Sequence, residues 1–527
     1  MFLRENSSFP PDNEFYQKLL EWGAWYSGER DYLIEYYKNC TVLPITENNI
    51  FWAKIEQSER INMVHIPAAG DIAEMSSNLL FSEAPKIGYK KESKLGDMLT
   101  NFIDESGFYN ILLESAEVSA AFGGVLLKSD IDIVLSEFPL ISILTPMQFY
   151  PTFLRGRLWE VLMWREVKRE GSNKETVWRL FENRKRNNNG KDLIIEFKLY
   201  KGKNDNIGKE YNLNSIDETK ELNLKEKDII SNVNGLGAVY IPNKRPNKLR
   251  PGSPIGINDF NSSISLLDSL DAAWSSLMND IELGRGQIFI DEELMKSEDS
   301  LDGTNLNIKQ TNSTFSKYQK AFLQLNFSNY KMGNDNYKPI DVNQFEIRTE
   351  DHLKACTNLY QTIVSNCGYS PQTFGINIDG GRAESGTSLR IRERKSLLTK
   401  EKKSRYWQIG IKDILRQISN IYASYKNINF DVETNDISVE LEDSIVIDSR
   451  EQSETIRNLD MAKAISTYIK VKMLHPDWND IEVEEEIKKI NKESGADFNN
   501  DVFDLDKYSN QNNNNEEQNK KIESKEG

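Results

Sequence analysis

Residues 349–405 read TEDHLKACTNLYQTIVSNCGYSPQTFGINIDGGRAESGTSLRIRERKSLLTKEKKSR, and this stretch changes character twice. Its first part has the pattern of a helix. Thr349 is an N-cap residue, Glu350 and Asp351 stand in the first turn where the helix dipole favours acids, and Leu353, Cys356, Tyr360, Ile363 and Cys367 step by three or four. Gly368 supplies the stop. Residues 369–387 carry four glycines and one proline, which exclude a long regular element there. A further helix is expected over 388–426, crowded at its start with Arg390, Arg392, Arg394, Lys395, Lys400, Lys402, Lys403 and Arg405. It continues on the apolar stripe Trp407, Ile411, Ile414, Ile418 and Tyr422, with Gly410 as a candidate kink.

Upstream, Ile257, Phe260, Ile264, Leu267, Leu270, Trp274, Leu277 and Ile281 also step by three or four, and Gly284 and Gly286 follow. The spacing predicts a helix over 257–284, a rod of roughly 40 Å. Between the two rods, residues 285–346 lose the helical period and read as short strands, QIFIDEEL and KAFLQLNF among them. Two long helices therefore flank a small strand-rich excursion.

The N-terminal half has a different texture. EFYQKLLEWGAWYSGERDYLIEYY reads as an amphipathic helix pair broken at Gly28, HIPAAGDIAEMSSNLLFSEAP as a helix closed by Pro85, and ILLESAEVSAAFGGVLLKSDI as a helix turning into a strand at Gly123–Gly124. From about residue 141 to 240, β-branched and aromatic runs such as LWEVLMWREV, TVWRLFE and DLIIEFKLY alternate with polar clusters. An α+β domain fits residues 1–256, and NKRPNKLRPGSPIG, broken by prolines and glycines, marks its boundary. Downstream, the alternation in NFDVETNDISVELEDSIVID predicts strands within 427–449 and helices are expected over 450–495. The polar, low-complexity sequence of 496–527 is expected to be disordered.

With 527 residues the chain is too long for one compact core. No run approaches the roughly 20 apolar residues of a membrane-spanning helix, and the first residues lack the apolar stretch of a signal peptide, so a soluble protein made in the cytoplasm and without a membrane partner is expected. A net charge of −16 argues against broad wrapping of nucleic acid, which needs a basic surface. Against that background, residues 390–416 hold ten Lys or Arg and three Asp or Glu, a run that reads either as a solvated face or as a contact for phosphate or for acids of a neighbouring subunit.

Motifs for chemistry are missing. There is no GxxxxGK[ST] phosphate loop, and GINIDGGRAESGT has glycines but lacks the lysine–hydroxyl pair, so it reads as a loop rather than a nucleotide site. Three histidines offer neither HExxH nor a zinc deaminase pattern, and His352, Cys356 and Cys367 have no evident fourth ligand. Buried helix thiols are the expectation for the two cysteines, and neither a metal nor another cofactor is expected. A nuclease assembling carboxylates around a divalent metal only after folding is the alternative enzymatic reading, and a ring or tube component of a phage tail is a further one.

The order of helix, strand-rich excursion, helix, glycine-rich loop and long basic helix resembles the stem, clip, stem, tunnel loop and channel helix of the portal proteins of tailed bacteriophages. EWGAWYSG, HIPAAGDIAEMSSNLLFSEAP and FGGVLLK look like wing sequences of portals from phages of Gram-positive hosts. GYSPQTFG followed by AESGTSLRIRERKSLLTKEKK looks like the loop-to-helix passage, and VELEDSIVIDSREQSETI followed by HPDWNDIEVEEEIKKINKES looks like the return strand and crown. The resemblance covers about residues 14 to 495. It implies a non-enzymatic, dodecameric ring of identical subunits in the virion, occupying one capsid vertex. Double-stranded DNA would pass through it, with the terminase large subunit and then head-tail adaptor proteins docking on it and major capsid and scaffold proteins around it.

By the same resemblance, residues 1–256 with the strands of 427–449 are the wing, 257–284 and 347–368 the stem, 285–346 the clip, 369–387 the tunnel loop, 388–426 the kinked channel helix and 450–495 the crown. The tunnel loop would present Phe374, Gly375, Asn377, Asp379, Gly380, Gly381 and Arg382 to DNA. Arg390, Arg392, Arg394 and Lys395 would face the lumen or a neighbouring subunit. Phe260, Ile264, Leu267, Trp274, Leu277, Leu353, Tyr360 and Ile363 would pack the stem, and Gln287, Phe289, Asp291, Glu292, Phe322 and Phe327 would offer the clip to terminase and adaptor.

Overall fold

The computed structural model describes residues 2–39, 50–53, 63–89, 93–132, 134–171, 175–187, 189–284, 287–291, 322–325, 340–343, 348–376, 386–428, 437–441, 449–475, 478 and 480–493. It is α+β, with helices and mainly antiparallel sheets, and its contacts divide it into two units, residues 1–382 with 391–444 and residues 383–390 with 445–527.

The first unit opens with α1 (Asn13–Tyr26) and α2 (Arg30–Asn39), parted at Gly28, which takes φ 70°, where a side chain would be strained. Asp12 caps α1 by accepting from Phe15 N at 3.2 Å. Helices α3 (Ala68–Phe81), α4 (Lys94–Ser106) and α5 (Phe108–Phe122) follow, and Gly123, at φ 85°, turns α5 into β2 (Gly124–Asp130). Strand β1 (Lys86–Gly88) lies between α3 and α4. These elements match the helix and strand signals of the N-terminal sequence.

Strands β3 (Leu140–Leu144), β4 (Phe149–Leu154), β5 (Arg157–Glu170), β6 (Thr176–Arg186), β7 (Leu193–Lys203) and β8 (Asn206–Tyr211) come next. After them stand a single turn of helix, α6 (Asp217–Lys220), then β9 (Lys227–Ile230) and β10 (Ala238–Pro242). Strands β4 to β8 form an antiparallel meander, with β9 pairing on β7, while β10, β2 and β3 make a separate three-stranded sheet. Residues 243–260 then cross without regular structure, as their prolines and glycines require.

Helix α7 (Ile264–Leu283) starts later than its apolar period predicts. Ile257 and Phe260 are buried, but so are the residues between them: Asp259 uses its carboxylate for tertiary bonds and Asn258 Oδ1 accepts locally from Asn261 N, so the chain enters the helix through a 3-10 turn at Asn261–Ser263. The rod is thus about 30 Å rather than 40 Å. Helix α8 (Thr349–Cys367) runs antiparallel to it: Asp280 near the end of α7 meets His352 near the start of α8 at 2.9 Å, and Ser263 before α7 meets Cys367 at the end of α8 at 3.6 Å. Arg348, not Thr349, occupies the N-cap position and makes no side-chain cap bond, and Gly368 closes the helix at φ 99°. Between the pair, β11 (Gln287–Asp291) pairs parallel with β12 (Phe322–Leu325) and antiparallel with β13 (Ile340–Asn343).

Helix α9 (Gly386–Lys426) is continuous through Gly410. The missing side chain there has a use other than a break: a Cβ at Gly410 would stand 2.5 Å from Ile241 Cδ1, so β10 approaches the helix at that residue. Trp407, Ile411, Ile414 and Ile418 join Phe102, Phe108, Leu112, Val125, Leu127 and Ile241 in one apolar core; Trp22, Trp25, Trp52, Ile72, Phe260, Leu267, Leu270 and Ile363 lead a second. Within residues 427–449, β14 (Ser438–Glu440) pairs antiparallel with β1.

In the second unit, α10 (Ser449–Met461), α11 (Thr467–Leu474) and α12 (Asp480–Glu493) bury Ile456, Val471 and Val483. Ser466 caps α11, and the His475 and Trp478 rings stack at 3.9 Å. The expected tail over 496–527 lies outside the described residues. No helix among the described residues is long and apolar enough to cross a membrane.

Gly410→Ala tests the close approach. Alanine favours a helix interior by about 1 kcal/mol over glycine, but overpacking costs about 1–3 kcal/mol, so a net loss of stability is expected in denaturant unfolding. A gain would mean that β10 does not press on α9 at this point.

Candidate functional site: a buried cation and a polar seam

The stripe that buries α9 does not begin at Trp407. Ser396, Lys400 and Lys403 are buried as well, and with Trp407, Ile411, Ile414 and Ile418 they continue the same three- and four-residue steps. A lysine ammonium inside a core must find partners or lose its charge. Lys403 Nζ donates to Asp259 Oδ2 at 2.5 Å, to Ser76 Oγ at 2.6 Å and to Tyr369 OH at 3.0 Å, which uses all three of its N–H bonds. Tyr369 OH in turn donates to Asp259 Oδ2 at 2.8 Å, and Asn243 Nδ2 donates to Asp259 Oδ1 at 2.9 Å.

This cluster joins α3, the entry to α7, the exit from α8 and the body of α9. Two hydroxyls of α9 reinforce it: Ser396 Oγ accepts from Ser370 N at 2.8 Å, and Thr399 Oγ1 donates to Gly368 O at 2.6 Å. Burial lowers the Lys403 pKa against the opposing pull of Asp259, and burial first, then Asp259, raises that of Tyr369 far above the usual phenol range. The same tyrosine therefore acts as a neutral hydrogen-bond donor.

A second polar arrangement runs along α7. Asp268 Oδ2 accepts from Phe51 N at 2.8 Å, and Asp271 accepts from Ile66 N at 2.9 Å and Trp52 Nε1 at 3.0 Å and holds His65 Nδ1 at 2.7 Å. Ser275 Oγ accepts from Val64 N at 3.0 Å. The spacing 268, 271, 275 puts the three side chains on one helix face. They seat residues 50–53 and 63–66 by hydrogen bonds, with Trp25 and Trp52 edge-on to the His65 ring at 5.7 and 5.9 Å. Burial raises the Asp271 pKa, and the His65, Trp52 and backbone bonds oppose it.

These groups are bonded to one another and buried, an arrangement that fixes helices. Among the described residues no cluster of His, Cys, Asp or Glu could hold a metal ion. Cys356 and Cys367 are buried thiols of α8, and burial pushes the Cys367 thiol up to about 12.

The residues singled out in the sequence fall as follows. Phe260, Leu267, Leu277 and Ile363 are buried; Ile264, Trp274 and Tyr360 are half-buried against the same core. Leu353 is a correction to the expected helix-pair packing, for it is 41% exposed while its neighbour His352 turns toward α7. Phe374 closes a short turn, Pro371–Phe374, and its ring packs on Tyr360 and Tyr369 at 6.4 and 6.1 Å; Gly375 follows at φ 74°. Asn377, Asp379, Gly380, Gly381 and Arg382 lie outside the described residues, as do Glu292 and Phe327. Gln287, Phe289 and Asp291 stand on β11 and Phe322 on β12. Arg390 is on the second turn of α9, Arg392 is half-buried and Arg394 is exposed, while Lys395 Nζ donates to Ser365 O at 2.5 Å.

The described elements thus define an α+β protein in which an antiparallel helix pair brackets a small sheet and one long helix is pinned to that pair. The family described as "Phage portal protein, SPP1 Gp6-like" matches residues 9–498, and the chain belongs to it, which makes it a phage portal, a component of the phage particle. Among curated proteins none matches the sequence. The chain is also similar, at 11% identity and a TM-score of 0.40, to a chain of the solved structure titled "Neck of empty GTA particle computed with C6 symmetry", over 78% of this chain and 90% of that one.

Lys403→Met leaves Asp259 buried without its cation and should cost about 3–5 kcal/mol in chemical unfolding. Adding Asp259→Asn should recover most of that loss. Equal losses in the single and double variants would show that Lys403 contributes by packing rather than by charge.

Proposed function

We propose that the chain forms a closed ring of identical subunits, a dodecamer in virions, at one capsid vertex, and that double-stranded DNA enters and leaves the capsid through its centre. The observation that carries this reading is the family match across nearly the whole described chain, in which the helix pair α7 and α8, the sheet β11 to β13 and the long helix α9 follow in the order of stem, clip and channel. On this reading residues 1–256 are the wing, completed by β14, residues 369–387 are the tunnel loop and α10 to α12 the crown.

A conduit must hold DNA without gripping it. An excess of acids discourages adsorption of phosphate, while a few cations repeated around a ring keep the duplex centred. Arg394, Lys402 and Arg405 are exposed cations of α9 suited to that task, together with Arg390 in the second turn of the helix. No phosphate-loop sequence occurs in the chain, so the work of packaging falls to a partner ATPase, the terminase large subunit, docking on the sheet formed by β11 to β13. Head-tail adaptors would take that place later, and capsid and scaffold proteins would meet the wing.

Phage carrying Arg390→Gln, Arg394→Gln, Lys402→Gln and Arg405→Gln together should package or retain several-fold less DNA per particle, with ring assembly unchanged by electron microscopy. Full particles at the parental level would remove α9 from the DNA path.

A further inference from the structure

Two collections of exposed apolar side chains stand on the sheets of the first unit. One is the hairpin of β4 and β5. Leu154 pairs with Arg157 across the two-residue turn Arg155-Gly156, both with positive φ (51° and 78°), the mirror-image turn that matches strand twist. Next to this tight, rigid turn, Leu154 is 53% and Trp159 44% exposed, and Arg155 and Arg157 are exposed beside them.

The other is a concavity of about 620 Å³ between the meander and the β10-β2-β3 sheet, in the range of clefts that bury a ligand of drug size. Leu144, Met163, Leu180, Leu193 and Ile195 line it, and its exposed Leu222, Ile229 and Tyr425 extend the apolar surface outward. Val134 and Leu135, 93% and 73% exposed, stand in the loop that continues from its lining residues Ile131 and Asp132. Within the cleft, Lys128 and Arg184 are paired with Asp130 and Glu182. The other charged lining residues are Asp132, Asp228 and Arg165, an excess of one acid.

We propose that the β4–β5 hairpin tip of one subunit inserts into this cleft of a second copy of the chain. The proposal rests on the ring reading given above, and it deepens it. A closed ring needs a head-to-tail contact between two different patches of one surface, and the two patches are complementary: convex against concave, apolar against apolar, Arg155 and Arg157 against Asp132 and Asp228. A tryptophan and a leucine at the tip of a rigid turn are suited to anchor such a contact. In the isolated subunit the exposed apolar side chains of both patches face water.

Two measurements on the full chain test this. Rings of the parental chain and of Leu154→Asp/Trp159→Asp are compared by mass photometry and negative-stain microscopy, with thermal melting as a check of folding. The variant should associate at least about a hundred-fold more weakly while melting as the parent does. Because an assembly defect could have another origin, Leu154→Cys/Ile229→Cys is oxidised in assembled rings. A ladder of disulfide-linked subunits, absent from each single-cysteine variant, is expected. Parental rings in which the double-cysteine chain gives no ladder, or a folded Leu154→Asp/Trp159→Asp variant that assembles normally, would overturn the docking while leaving the ring intact. A parental chain that forms no rings alone or with capsid and scaffold proteins would overturn the ring reading itself.

Discussion

The pair formed by Lys403 and Asp259 is the interaction on which the arrangement of the long helices depends. A buried ion pair is a poor source of net stability, because desolvating two charges offsets most of their attraction. Its value lies in direction. The buried stripe of α9, from Ser396 through Ile418, repeats nearly every turn, and an apolar stripe of that kind could slide by about 5.4 Å along its bed at modest cost. A displaced α9 would leave one ammonium and one carboxylate buried without partners, a cost of several kcal/mol. The apolar contacts make the helix adhere, and the charge sets its register.

The same cluster reduces what the basic run can offer to a ligand. Lys403 is consumed by Asp259, Lys400 is buried, and Lys395 is held by a main-chain carbonyl at the end of α8. The exposed cations Arg394, Lys402 and Arg405 share a face with the exposed Ile391, Leu398 and Ile409. A face that mixes cations with aliphatic side chains is suited to light, transient contact with phosphate rather than tight binding, and it agrees in sign with the acidity of the whole chain.

Much of the fold was legible because local rules governed it. The break at Gly28, the strand start after Gly123, the close of α8 at Gly368 and the apolar stripes of α7 to α9 follow from glycine geometry and helical period, and each is decided within a few residues. What escaped depends on partners far away in sequence. Asn258 and Asp259 sit in an apolar period yet delay α7, because Asp259 bonds to residues 243, 369 and 403. Lys403 was hidden by its cationic neighbours, although its position four residues before Trp407 on the buried stripe was a usable signal. The parallel pairing of β11 with β12 joins segments more than a loop apart, and nothing local in either strand encodes it. Leu353 held the right spacing but the wrong end of its helix, where His352 found Asp280.

The acids of α7 extend the same logic to the N-terminal segment. Asp268, Asp271 and Ser275 seat residues 51, 52, 64, 65 and 66 through bonds with fixed geometry, where an apolar seam would have allowed the segment to settle in several positions. The cost is visible in His65: with Nδ1 committed to Asp271, its buried Nε2 has no hydrogen-bond partner. A subunit that repeats around a ring multiplies any error in its own shape, since each small rotation is added at every contact until the ring fails to close. Under that constraint, two buried polar seams that sacrifice stability for a single geometry are the expected compromise. They lie where the two long helices and the N-terminal segment must keep one relation.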